Sequence, residues 1–88
     1  MTWVKVEEKP TAQSVTLTML TTLHSGFLYG AAACWVRIGR QTVRAVACIA
    51  GPRKLILLPA DAAQFLTTHG LPGEIADELV ADALAKEA

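Results

Sequence analysis

The chain has 88 residues, eight of them basic and eight acidic, so its formal net charge at pH 7 is zero. A neutral chain has no overall attraction for nucleic acid or for an anionic membrane, and binding to either would need a local cluster of charge. A chain of this length can build one hydrophobic core but not two. We therefore predict a single domain over residues 1–88.

The amino-terminal segment contains a short alternating stretch, Trp3 to Glu7, that predicts an edge strand ended by Pro10. Charged side chains suit a strand with one unpaired side, and proline cannot continue the pairing. The segment carries no apolar stretch of the kind found in signal peptides, so we expect a cytoplasmic protein.

A longer strand is predicted from Ser14 to His24, which is rich in β-branched Val and Thr. A membrane span is the alternative, because no Lys, Arg, Asp or Glu occurs from Pro10 to Val36, a stretch long enough to cross a bilayer. Threonines at positions 16, 18, 21 and 22 and an alternation of period two argue against an evenly apolar span. We therefore predict strands here, and no membrane.

Two further strands, Phe27 to Ile38 and Gln41 to Ala50, flank the dipeptide Gly39-Arg40. Glycine in the first position of a two-residue loop permits a primed hairpin turn. Alternate side chains then share one side of the sheet, which we call face 1, and nearly all of them are apolar. The predicted cross-strand pairs on face 1 are Ile38 with Gln41, Val36 with Val43, Cys34 with Ala45, and Ala32 with Ala47.

A second turn signal, Ser25-Gly26, joins the strand ending at His24 to the strand beginning at Phe27. This hairpin adds four apolar side chains to face 1, and a slip of one residue in either hairpin would break the pattern. It pairs Val15 with Val36, Leu17 with Cys34, Met19 with Ala32, and Leu23 with Leu28.

The register also predicts the state of the two cysteines. Cys48 is set opposite Ala31, and its thiol points to the other side of the sheet from the thiol of Cys34. We therefore expect two free thiols, as is usual in a reducing compartment.

After Gly51-Pro52, the apolar run from Leu55 to Leu58 predicts a fourth strand. Helical spacing follows, with one helix from Ala60 to His69, ended by Gly70. A second helix is predicted from Glu74 to about Glu87, with an inward face made of Ile75, Leu79, Val80, Ala83 and Leu84. The fold class is α+β: a four- to five-stranded antiparallel β-meander followed by two C-terminal α-helices packed on one face.

The sequence offers few groups for catalysis. The candidates are Cys34, Cys48, His24, His69 and Asp61, and their spacing suggests neither a zinc site nor a Cys-His pair. Glycines fall at turns or within a strand, so no phosphate-binding loop is predicted. We expect no enzyme, no metal and no cofactor.

The side of the sheet opposite face 1, which we call face 2, is also apolar. Two short helices can cover only one side of the meander, and we expect face 2 to stay open. Exposed apolar patches usually mark interfaces, and aromatic anchors with a nearby arginine are typical of their centres. The predicted partner-binding residues are Leu20, Tyr29, Trp35, Arg37, Arg44, Val46 and Leu57. The alternative is that the amino-terminal segment, through Trp3 and Val4, covers face 2.

These features favour a non-enzymatic protein-protein interaction module, such as an inhibitor or adaptor that acts by steric binding. Its partner is another protein or a second copy of the chain, and we expect a homodimer formed through face 2. Small stand-alone α+β proteins with no catalytic set include inhibitors and adaptors carried by phages and other mobile elements, such as anti-CRISPR proteins, and we expect a protein of this kind.

A small nucleic-acid-binding module is the alternative function. Trp35 falls opposite Arg44 in the predicted register, with Tyr29 and Arg37 on the same side, and rings interleaved with guanidinium groups can stack bases and hold phosphates. The simpler interpretation is a cross-strand cation-π pair that only covers the sheet.

Overall fold

The computed structural model describes residues 19–86. Four strands form one sheet in the order β1-β2-β3-β4, and all neighbours are antiparallel. Two helices follow, which confirms the predicted α+β meander. The elements are β1 (Leu20–His24), β2 (Phe27–Ile38), β3 (Gln41–Ala50), β4 (Arg53–Leu57), α1 (Pro59–Thr68) and α2 (Gly73–Lys86). The predicted Trp3–Glu7 strand and the Ser14–Thr18 part of the next strand lie outside the described residues.

The register predicted for the central hairpin is confirmed. The strands β2 and β3 meet at Gly39, whose φ of 62° is the positive value that the first position of a primed turn requires. The ladder contains all four predicted pairs, from Ile38 opposite Gln41 to Ala32 opposite Ala47.

The β1–β2 hairpin also closes where the sequence predicts. Both turn residues have positive φ, 51° at Ser25 and 83° at Gly26, and Leu23 lies opposite Leu28 as predicted. Met19 stands one residue before β1 begins. The predicted positions of Val15 and Leu17 lie outside the described residues.

Both helices start one residue before their predicted start. Pro59 begins α1, where its missing N–H costs nothing, and α1 ends at Thr68, just before the Gly70 stop, whose φ is 111°. In α2 the prediction for Ile75 is wrong, since that side chain is exposed and Ala76 is buried in its place. The buried side chains of α2, at i, i+3, i+4 and i+7, form one stripe: Ala76, Leu79, Val80 and Ala83.

The helices cover face 2 and not face 1, so the predicted choice of face is wrong. Tyr29, Val46 and Leu57 share one core cluster with the inward side chains of both helices. Both faces are apolar, so alternation alone does not tell which one the helices take. The connection decides it: only Leu58 separates β4 from α1, which leaves the helix little freedom to cross to the other side of the sheet.

Face 1 carries a second, smaller cluster. Cys34, Val36 and Ala45 are buried there, packed against half-buried neighbours: Val43, Ala47, Ile56 and Leu58. Within residues 19–86, no helix is long and apolar enough to span a membrane.

Candidate protein-interaction surface

Three of the seven predicted partner-binding residues are core residues. Tyr29 is 2% exposed, Val46 and Leu57 are fully buried, and Leu20 is partly buried against the same cluster. They pack beneath α1 and α2, so the expectation that face 2 stays open to a partner is wrong at these positions. The alternation of side chains along the strands correctly grouped these residues on one apolar face, but the helices cover that face.

The hydroxyl group of Tyr29 joins the sheet to the end of α1. It donates a hydrogen bond to the main-chain carbonyl of His69, with an O···O distance of 2.7 Å. The site is tight, because a Cβ atom at Gly70 would lie 2.9 Å from the same hydroxyl oxygen. The buried Tyr29 hydroxyl therefore stabilises the packing of β2 against the end of α1.

Trp35 and Arg44 form the cross-strand pair that the register predicts. The Arg44 guanidinium carbon lies 5.4 Å from the centre of the Trp35 ring, within the range of a cation-π contact. Arg44 Nη2 also donates a hydrogen bond of 2.6 Å to the Leu84 carbonyl, near the end of α2. A guanidinium group there satisfies an otherwise unpaired helix carbonyl and complements the helix dipole. Arg37, opposite Thr42 and beyond this pair, is exposed.

Neither Cys34 nor Cys48 is in a disulfide, as predicted, and both side chains are buried. Burial raises the pKa of the Cys48 thiol to about 12, because a thiolate would lose its hydration there, and the charge of a Cys34 thiolate would add to the effect. A thiol that stays protonated at neutral pH is a poor nucleophile. Within the described part of the chain, no group of three or more His, Cys, Asp or Glu side chains could hold a metal ion.

The most exposed apolar side chain of the sheet, Leu23, lies on face 1 at the β1–β2 hairpin, whereas the next most exposed, Phe27 at 56%, lies in the same hairpin on face 2. Leu23 is 73% exposed and Leu28 is 42% exposed, and the two residues are direct cross-strand partners. Toward the other end of face 1, Cys34 and Val36 are buried, and Ile38, beside the β2–β3 turn, is 44% exposed. Exposed leucines side by side form the kind of contiguous apolar surface that binds partners.

Beside the two leucines, face 1 contains an open groove of about 420 Å³. It lies over β3 and β4, where Ala47 is opposite Ile56 and Ile49 is opposite Lys54. The groove is lined by Met19, Ala47, Cys48, Ile49, Lys54, Leu55 and Ile56. We call Leu23, Leu28 and this groove the hairpin patch.

The hairpin patch is nearly free of charge. In the described registers, the side chains that share this part of face 1 are apolar or small, apart from Thr21 and Lys54. The patch could have been found from the sequence, because the same alternation that groups Val36 and Cys34 also groups Leu23 and Leu28. The sequence did not indicate which face of the sheet the helices cover, and therefore which apolar face stays exposed.

Fold and surface together define a small α+β domain with helices on one side of an antiparallel meander and an apolar patch on the other. No protein-family model, curated protein or solved structure matches the chain.

Proposed function

We propose that this protein is a non-enzymatic interaction module that binds another protein, or itself, through the hairpin patch. It acts by occupying a surface of its partner, as small inhibitors and adaptors do. The supporting observation is the 73% exposure of Leu23, directly opposite Leu28 and beside an apolar groove. Burying one leucine side chain is worth about 1.5–3 kcal/mol, so a partner that covers both gains substantial binding energy.

The chemistry of the patch specifies the kind of contact. With one lysine and no acidic side chain in the groove lining, binding depends on apolar burial and shape, and only weakly on salt. The partner therefore presents aliphatic or aromatic side chains. Two cysteines that are not joined in a disulfide support placing this activity in the cytosol, where thiols stay reduced.

The test uses the full chain as bait in an extract of the organism that encodes it, and compares the wild type with the variants Leu23→Glu and Ile75→Glu. Leu23→Glu puts a charge at the most exposed position of the patch, whereas Ile75→Glu makes the same kind of change at an exposed position of α2. We expect one or more proteins to be captured by the wild type and by Ile75→Glu, and to be lost with Leu23→Glu. Capture should persist from about 0.1 to 0.5 M salt.

Equal capture by all three forms would show that the patch is not the interface. Circular dichroism of both variants provides the folding control, and both should fold, since each side chain is exposed in the wild type.

The structure offers less support for the nucleic-acid alternative. Tyr29 is buried, and the Arg44 guanidinium is engaged with Trp35 and the Leu84 carbonyl. Arg37 and the exposed edge of Trp35 remain for bases and phosphates. An electrophoretic mobility shift with oligonucleotides at low salt, lost steeply as salt rises and weakened by Arg37→Ala, would favour this alternative over the interaction module.

A further inference from the structure

We propose that a pocket on face 2 binds a small organic anion made of one aromatic ring and a short side chain with a carboxylate. The pocket has a volume of about 250 Å³ and lies between Phe27, the β3–β4 turn at Gly51-Pro52, and His69 at the end of α1. Because the hairpin patch lies on the opposite face of the sheet, this site is independent of the proposed function.

Hydrogen bonds to β2 hold the walls of the pocket in place. The Gly51 N–H donates to the Leu28 carbonyl at 2.7 Å, which ties the β3–β4 turn to β2. The Tyr29 hydroxyl donates to the His69 carbonyl at 2.7 Å, which ties the end of α1 to the same strand. Phe27 itself is the first residue of β2. A pocket formed in advance loses less conformational freedom on binding than one that must first be ordered.

The walls consist largely of rings, since Phe27, Tyr29, Pro52 and His69 all line the pocket. A Cβ atom at Gly51 would lie 3.4 Å from Cδ1 of Phe27, so the Phe27 ring lies close to the turn. The Phe27 side chain is nevertheless 56% exposed, which leaves an open aromatic surface beside the cavity. Aromatic rings that stack or meet edge to face gain more than their buried area alone provides. The site therefore fits a ligand ring better than an aliphatic chain.

The volume limits the ligand to one ring and a short side chain. A cavity of about 150 Å³ in a protein core holds benzene, and this pocket measures about 250 Å³. Pockets for drug-sized ligands begin at about 300 Å³. A single ring with two or three further carbon atoms and a carboxylate therefore matches the space.

The charge of the ligand follows from Arg53. This side chain lines the pocket and is exposed, and none of the described residues in the lining is acidic. Aromatic rings can also bind a cation, but the Arg53 guanidinium would repel one. An imidazole ring has at least one N–H donor in either protonation state, so His69 can add a hydrogen bond to a carboxylate.

The end of α1 opposes an anion only weakly. The carboxyl end of a helix carries about half a negative charge, which arises from carbonyls without a partner. Here the N–H groups of residues 69–71 bond carbonyls of the last turn, and the His69 carbonyl accepts the Tyr29 hydroxyl. The full positive charge of Arg53 therefore outweighs the effect of the helix end.

The experiment is a titration of the full nitrogen-15-labelled chain, followed by NMR chemical shifts at constant ionic strength. The probe is 3-phenylpropionate at up to about 20 mM and at about pH 7, where its carboxyl group is ionised. A ligand of this size in an open pocket should bind with a dissociation constant of about 1–10 mM. We expect saturable shifts at the amides that surround the pocket: Phe27, Gly51, Arg53 and His69.

Consecutive residues on opposite faces of β4 provide a matched test of the charge. Arg53→Gln removes a positive charge beside the pocket, and Lys54→Gln removes one from the groove on face 1. Binding should be about two- to fivefold weaker with Arg53→Gln, the range of an exposed ion pair, and unchanged with Lys54→Gln. The neutral analogue 3-phenylpropanamide should bind the wild type more weakly by the same factor, and Arg53→Gln should not weaken it further.

Phe27 and Leu28 provide the equivalent test of the ring wall. Phe27→Ala removes the exposed ring from face 2 and should weaken binding at least about tenfold. Leu28→Ala shortens the next side chain, on face 1, and should leave binding unchanged. The two side chains are 56% and 42% exposed, so both variants should fold, and circular dichroism checks this.

Absence of saturable shifts at the pocket amides up to about 20 mM would overturn the proposal. Shifts confined to the hairpin patch would also overturn it, because the probe would then occupy the groove on face 1. Equal weakening by Arg53→Gln and Lys54→Gln, or equal affinity for the acid and its amide, would exclude an anion held by Arg53. Partner capture through Leu23 is a separate measurement, so the proposed function can stand or fail independently of these results.

Discussion

At the scale of single residues, Tyr29 shows that an aromatic side chain predicted to bind a partner can instead belong to the core. Tyr29 was expected at an interface because tyrosine on an open sheet is typical of one. It is instead buried, and its hydroxyl reaches the carbonyl of His69. Nothing in the sequence near position 29 predicts that bond, because its partner lies 40 residues away.

Tyr29→Phe removes this hydrogen bond and keeps the ring. We expect the free energy of unfolding to fall by about 0.5–1.5 kcal/mol, with the His69 carbonyl left short of its partner. Urea denaturation followed by Trp fluorescence measures the change.

Thr67→Val is the matched control, because it removes a hydroxyl that bonds the Ala63 carbonyl at an exposed position. Water replaces that bond, so the control should change stability by less than about 0.5 kcal/mol. If the two variants lose the same free energy, the buried tyrosine bond is not a significant support of the fold.

Among the elements, α2 is tied to the sheet by a contact near its carboxyl end. The tie is Arg44, which stacks on Trp35 and bonds the Leu84 carbonyl. The sequence predicts the Trp35–Arg44 pair from register alone, since the two residues are direct neighbours across β2 and β3. It does not predict Leu84, because the position of α2 over the sheet follows from packing.

Arg44→Met keeps the aliphatic length of the side chain and removes the guanidinium group. We expect the free energy of unfolding to fall by about 1.5–3 kcal/mol, the range for a hydrogen bond to a charged donor, with faster hydrogen exchange in the last turn of α2. Both are measurable, by urea denaturation and by exchange mass spectrometry.

Arg37→Met is the matched control, because Arg37 lies on the neighbouring strand β2 and is exposed. This substitution should lower the free energy of unfolding by less than about 0.5 kcal/mol. Unchanged exchange in α2 of Arg44→Met would contradict the capping role.

For the whole molecule, the buried thiol of Cys48 links stability to pH. The pKa of Cys48 rises from 9.0 to about 12 on folding, because burial disfavours the thiolate. Below pH 9 the thiol is protonated in both states, and its full contribution to stability is present. As the pH rises from 9 toward 12, the unfolded thiol ionises while the folded one does not, so stability falls by up to about 1.4 kcal/mol per pH unit.

The measurement is the free energy of unfolding in urea at pH 8, 9 and 10 for the wild type and Cys48→Ala. At pH 8 the free energy of unfolding of Cys48→Ala should be lower than that of the wild type, because the substitution leaves a cavity. Above pH 9 it should fall less steeply than that of the wild type. Parallel curves for the two proteins would show that Cys48 does not carry this pH dependence.

The sequence by itself determined the strands, the two hairpin registers and the approximate helix bounds. These follow from local rules: turn residues with positive φ at Gly39 and Gly26, and alternation that tolerates no slip of one residue. Tertiary structure decided which face the helices cover, and with it the roles of Tyr29, Val46 and Leu57, and of Leu23 and Leu28. Both faces are apolar, so the choice depends on the short β4–α1 link and on the fit of helices to the sheet, which involve contacts between residues far apart in the chain.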